Sequence, residues 1–156
     1  MNLIFLDIDG VLNCSESKSR CGGYLGIDDR KVKLLAEIVK QTNAKIILVS
    51  SWKVHWEKFY KDEQNELANY LDRKLKRQGL YIVDKTKHYG DERGKEIIEY
   101  LENITVNNKW IVLDDEIFPD YEKLGICEHL VKTSFYNSGL KAEHVELAVK
   151  LLNELK

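Results

Sequence analysis

Two kinds of hydrophobic run alternate along the chain. Leu3-Ile4-Phe5-Leu6, Ile46-Ile47-Leu48-Val49 and Trp110-Ile111-Val112-Leu113 are short and apolar at every position. Runs of this kind suit strands covered on both faces, as in a parallel sheet between helices. Tyr81-Ile82-Val83 and His129-Leu130-Val131 read as two weaker strands. Between them, apolar residues recur at helical spacing. Val32, Leu35, Ile38 and Val39 make one stripe, with Asp28 in the N-cap position. Leu67, Leu71 and Leu75 make another, in a helix predicted over Glu66 to Gln78 and stopped by Gly79. Ile97, Ile98 and Leu101 mark a helix beginning near Arg93, and Val145, Ala148, Val149 and Leu152 mark the last one. Strand–helix alternation predicts a three-layer α/β fold around a parallel sheet. The main irregular stretch, Asn13 to Ile27, directly follows the first strand, where an open sheet of this type places ligand-binding loops. It is too short for an independent cap domain. A second loop runs from Lys85 to Glu92.

Composition narrows the setting. The 156 residues fit a single domain spanning 1–156. Lys and Arg number 24 against 26 Asp and Glu, a net charge of -2, so no global basic footprint for nucleic acid exists, although a local groove is compatible with it. Cys14, Cys21 and Cys127 form no CxxC pair and are odd in number, which argues against a disulfide framework or a structural zinc site and for reduced thiols. Asp7 and Asp9 interrupt the first apolar run, so it does not read as a signal peptide. No run reaches the ~18 apolar residues of a membrane span. The expectation is a soluble cytoplasmic protein with no membrane partner. Nothing in the chain specifies an oligomeric state.

The sharpest chemical feature is Asp7-Ile8-Asp9-Gly10-Val11-Leu12-Asn13, immediately after the first strand. Residues i and i+2 of an extended chain point the same way, so Asp7 and Asp9 can share one side. Two carboxylates there repel unless a cation or proton separates them. Asp114-Asp115 ends the strand that closes at Leu113 in the same manner. If the strands are parallel, both pairs emerge at one carboxyl edge and form a hard-oxygen site suited to Mg²⁺.

With these residues in view, the chain resembles the haloacid dehalogenase superfamily, most of whose members are Mg²⁺-dependent phosphotransferases. All four of its motifs find a counterpart: Asp7 to Asn13, Val49-Ser50-Ser51-Trp52, Arg93-Gly94-Lys95 and Leu113-Asp114-Asp115. Asp9-Gly10-Val11-Leu12-Asn13, Ser50-Ser51-Trp52-Lys53 and Arg93-Gly94-Lys95-Glu96-Ile97 look more specifically like the compact phosphatase modules of RNA end-repair proteins. The resemblance implies an α/β/α Rossmann-like fold with strand order 3-2-1-4-5 and no cap domain. It implies an enzyme that hydrolyses phosphate monoesters through an aspartyl-phosphate on Asp7. Asp9 is then the acid and base, partly buried beside Asp7. Mg²⁺ is held by Asp7, Asp114 and Asp9, the last through its backbone carbonyl, with Asp115 completing the shell or holding its waters. Ser50, with Ser51 as a helix-capping alternative, and either Lys95 or Arg93, with Lys95 preferred, bind the phosphoryl oxygens. An open site suits a phosphorylated nucleic-acid end or phosphoprotein better than a small metabolite.

Two rival classes use related parts. A receiver-type signalling domain places its adjacent acid pair on the first strand and its acceptor on the third, the reverse of the order here. A catalytically silent binding module commonly loses the nucleophile or the acid two residues on, and both are present. Trp52 reads as a buried cover of the sheet edge or a platform for a base, and Lys53 as a contact to a nucleic-acid backbone. Arg73, Lys74, Lys76 and Arg77 read as a solvated helix face. His55, His88, His129 and His144 are scattered and form no metal pair, and Ser134 to Leu140 reads as a connection, with a contact to substrate as the alternative.

Overall fold

The structure is a computed structural model that describes residues 1–105 and 107–154. Strand β1 (Asn2–Leu6) is the centre of a five-stranded sheet. A two-residue hairpin, β2 (Arg20–Cys21) and β3 (Tyr24–Leu25), follows it. The rest of the sheet is β4 (Lys45–Leu48), β5 (Ile82–Lys85), β6 (Lys109–Asp114) and β7 (Leu130–Lys132). The order is β5-β4-β1-β6-β7 and every pairing is parallel. Counted within the sheet, that is 3-2-1-4-5, as expected from the sequence. The stretch Asn13 to Ile27 is less irregular than its composition implied, because it holds the β2–β3 hairpin.

Side chains of β1 alternate between two cores. Ile4 and Leu6 pack with α1 (Asp29–Thr42), α2 (Glu66–Lys76) and α4 (Ala142–Glu154) through residues such as Leu35, Leu71 and Leu152. Leu3 and Phe5 face the other way, with Ile47, Val49 and Val112, onto Ile97 of α3 (Arg93–Glu102) and onto Tyr121 and Ile126. A strand with both faces covered has to be apolar throughout, which explains the unbroken runs in the sequence. Asp28 caps α1 by accepting from the Arg30 amide, and the chain leaves α1 through Asn43 in a left-handed turn. No helix is long and apolar enough to cross a membrane among the described residues.

What this frame does for chemistry is set by register. Leu6 pairs with Leu113, and the Asp7 amide donates to the Leu113 carbonyl at 2.9 Å. Asp7 and Asp114 are therefore next in line on adjacent strands. Beyond them, Thr133 follows β7 and donates its amide to the Asp114 carbonyl, while Val49 leads β4 into Ser50. One sheet edge collects all of these ends.

Candidate active site

Ligand oxygens of Asp7, Asp114 and Asp115 lie within 4.8 Å of one another. Asp7 is 6% exposed, Asp114 is fully buried and Asp115 is half-buried. Burial, and then the charge of Asp114, push the Asp7 carboxyl well above the usual carboxylate range, although Arg93 pulls the other way. Burial followed by Asp114 raises Asp115 as well. Three crowded carboxylates, with Asp7 and Asp115 resisting ionisation, are the donor set that a hard divalent cation relieves, so the residues present fit Mg²⁺. Gly10 makes the arrangement possible. Its φ of +82° is a left-handed conformation, and a Cβ there would overlap the Asp115 carboxylate.

Arg93, the first residue of α3, supplies the positive charge. Its Nη1 donates to Asp114 Oδ2 at 3.0 Å and lies 3.4 Å from Asp7 Oδ1, and its guanidinium stacks on Phe118 at 4.1 Å. Burial works against that charge, yet Asp7 and Asp114 hold Arg93 above the ordinary guanidinium value. Asp114 is fixed further by the Tyr121 hydroxyl at 2.8 Å and by the Glu116 amide on its other oxygen. Burial and then Asp114 drive the Tyr121 pKa strongly upward, so its hydroxyl stays a donor.

Of the two basic residues expected at the site, the structure places Arg93 and not Lys95 against the acidic cluster. Lys95 is exposed, faces Glu92 at 3.8 Å and lies over the Tyr89 ring, because two residues along α3 from Arg93 is the wrong side of the helix. Both residues share a helix start held by Asp120, whose carboxylate accepts from the amides of Gly94 and Lys95. A side chain at Gly94 would run into that carboxylate.

Ser50 takes the capping role that was the alternative for Ser51. Ser50 is buried and caps the short 3₁₀ turn Ser51–His55 by accepting from the Trp52 amide, whereas Ser51 is exposed. Asp9 departs from expectation in its exposure. It is exposed rather than partly buried. Its carboxylate stands outside the cluster of three, where only its backbone carbonyl was expected to meet a metal. Asn13 Nδ2 donates to its Oδ1 at 2.9 Å and Trp52 Nε1 to its Oδ2 at 3.1 Å.

Trp52 is buried at 6% exposure, which excludes it as an open platform for a base. Lys53 is buried too, paired with Glu96 at 2.5 Å and donating to Thr86, so it offers nothing to a nucleic-acid backbone. Burial lowers the Lys53 pKa against the opposing pull of Glu96. The basic run on α2 is largely engaged: Arg73 pairs with Glu66, and Lys74 and Arg77 meet Asp29. Segment 134–140 docks behind the first acidic loop, through Leu140 to the Val11 carbonyl and Ser15 to the Phe135 carbonyl. Sequence reasoning missed Tyr121, Asp120 and Asn13 as organisers of the site. Only Asn13 had a local signal, as the last residue of the first motif.

The family model for the HAD domain in Swiss Army Knife RNA repair proteins matches residues 3–145. No curated protein and no solved structure matches the chain.

Proposed function

Because the chain belongs to the family of HAD domains in Swiss Army Knife RNA repair proteins, a fold family with phosphatase-like function, we propose that it is a Mg²⁺-dependent phosphomonoesterase working through an aspartyl-phosphate on Asp7. The observation that supports this most is the convergence of Asp7, Asp114 and Asp115 with Arg93 at one sheet edge, with a second acid two residues beyond Asp7.

Asp7 is the nucleophile. Its oxygen forms a bond to phosphorus as the bond from phosphorus to the leaving oxygen breaks, and the electron pair goes to that oxygen. Asp9, exposed at the mouth of the site, gives the leaving oxygen a proton. As a carboxylate, Asp9 then takes a proton from water, the hydroxide attacks phosphorus, and the Asp7–phosphorus bond breaks to release inorganic phosphate. Arg93 neutralises the phosphoryl oxygens from the side of α3. Asp7, Asp114 and Asp115 would hold Mg²⁺, which would supply the charge that lets an anionic nucleophile approach an anionic phosphate. The deciding experiment is Asp7→Asn, which should remove hydrolysis of p-nitrophenyl phosphate while circular dichroism stays unchanged. A folded variant with a near-normal rate rules out the covalent route.

The substrate we assign is a phosphate at a nucleic-acid end, supported by the RNA-repair setting of the family. Since Trp52 and Lys53 are buried, base contact falls to aromatics exposed on the segments after β1 and β4, namely Tyr24, Phe59 and Tyr60. Efficiency on a phosphorylated oligonucleotide should then exceed that on the mononucleotide and fall with salt. Equal, salt-insensitive efficiencies remove the nucleic-acid assignment and leave the phosphatase one standing.

A further inference from the structure

The Asp9 carboxylate is gripped at both oxygens by N–H groups, which can only donate. Trp52 Nε1 lies 3.1 Å from Oδ2 and Asn13 Nδ2 lies 2.9 Å from Oδ1. The two donors are themselves fixed. Trp52 is buried in the larger core, and its backbone amide is held by Ser50. Asn13 is fully buried; its Nδ2 also donates to the Gly26 carbonyl, and its Oδ1 accepts from the Gly10 amide. An exposed carboxylate two residues past a strand end would ordinarily sample several rotamers. Here two rigid partners from separate parts of the chain define its plane.

We propose that Trp52, with Asn13, is a positioning residue that sets Asp9 for proton delivery to the leaving group. The inference rests on the phosphatase reading, in which Asp9 is the acid. An indole N–H and an amide NH₂ have no lone pair to offer a proton, so neither competes for the one Asp9 hands over. Each oxygen retains a second lone-pair direction, and the clamp leaves that direction free for the substrate. Trp52 also explains why a tryptophan follows the serine pair: its ring belongs to the core, while its single polar atom reaches out to the site.

Proton delivery matters in proportion to how poor the leaving group is, and this separates positioning from mere support of the fold. Trp52→Phe keeps the ring volume and deletes the N–H. A positioned general acid contributes roughly 10²–10⁴-fold, and loosening it should forfeit about tenfold of that on an alkyl phosphate. On p-nitrophenyl phosphate, whose phenolate leaves unaided, the loss should be under about threefold, with KM little changed on both. Combined with Asp9→Asn, Trp52→Phe should cost nothing further on the alkyl ester. Equal losses on the two esters, or a further loss in the Asp9→Asn background, overturn the clamp. Wild-type hydrolysis of p-nitrophenyl phosphate tests the phosphatase reading separately. A spectroscopic measurement decides the clamp even if Trp52→Phe folds poorly. Of the three indole N–H resonances, only that of Trp52 should move substantially upfield in Asp9→Ala, and an unmoved Trp52 resonance refutes the proposal.

Discussion

Replacing Lys53 with methionine removes one charge from a buried pair and strands the other. The two side chains are 3% and 1% exposed, with Lys53 Nζ 2.5 Å from Glu96 Oε1. Methionine keeps most of the apolar stem but not the ammonium, so the contacts to Glu96, Thr86 and the Val49 carbonyl go together. Glu96 keeps the Tyr89 amide on its other oxygen, with His88 at 3.8 Å. Breaking a buried pair by deleting one partner costs about 3–5 kcal/mol, much more than replacing both partners. For a domain of this size each kcal/mol moves the melting point by about 2–4 °C. Lys53→Met should therefore melt about 6–20 °C lower, and adding Glu96→Gln should recover more than half of the loss, because the amide accepts from Tyr89 without a charge. Urea unfolding followed by circular dichroism gives both values. A loss under about 1 kcal/mol, or simply additive losses in the double variant, would refute the electrostatic reasoning.

Apo stability should fall as pH rises. Asp7 and Asp115 are raised in the folded state, so the folded protein binds more protons than the unfolded one. Their contribution is whole below the ordinary Asp value near ~3.9 and is lost as pH climbs through the raised values. Thermal melts across pH should show this, and Mg²⁺ should raise the melting point more at higher pH, an effect that Asp115→Asn diminishes. Arg93→Ala should reduce kcat/KM on p-nitrophenyl phosphate by about 10²-fold or more, while Lys95→Ala changes it less than about twofold; similar losses in both would restore Lys95 to the site. Gly10→Ala should destabilise by at least about 1–2 kcal/mol through its left-handed φ and weaken the Mg²⁺-induced melting shift by displacing Asp115, which calorimetry with and without the ion can measure.

Strand positions and their order were legible because burial on both faces leaves an apolar run with no polar break. The acidic pairs were legible for a related reason, since each interrupts such a run abruptly at its end. Choices between neighbours were not. Ser50 and Ser51, or Arg93 and Lys95, differ only in which way a helix start turns them, and a fraction of a turn decides the outcome. Lys53 misled for another reason: a lysine is ordinarily solvated, and only the fold brings Glu96, 43 residues away, into contact with it. Tyr121 and Asp120 lie in a stretch without periodicity, where nothing local announces that a hydroxyl and a carboxylate point back at the site.

The tether from Asp120 to α3 has a consequence for how this protein can recognise an anion. Helix starts usually present bare peptide N–H groups to phosphate. Here those of Gly94 and Lys95 are occupied by a resident carboxylate, which occupies the position a phosphate would otherwise take. On the phosphatase reading proposed above, recognition would fall to the Arg93 side chain instead of those amides. A lysine there would keep the charge but lose the planar fork that engages two oxygens at once. A substitution at Arg93 would then alter how phosphoryl oxygens are met while Asp120 still holds the start of the helix.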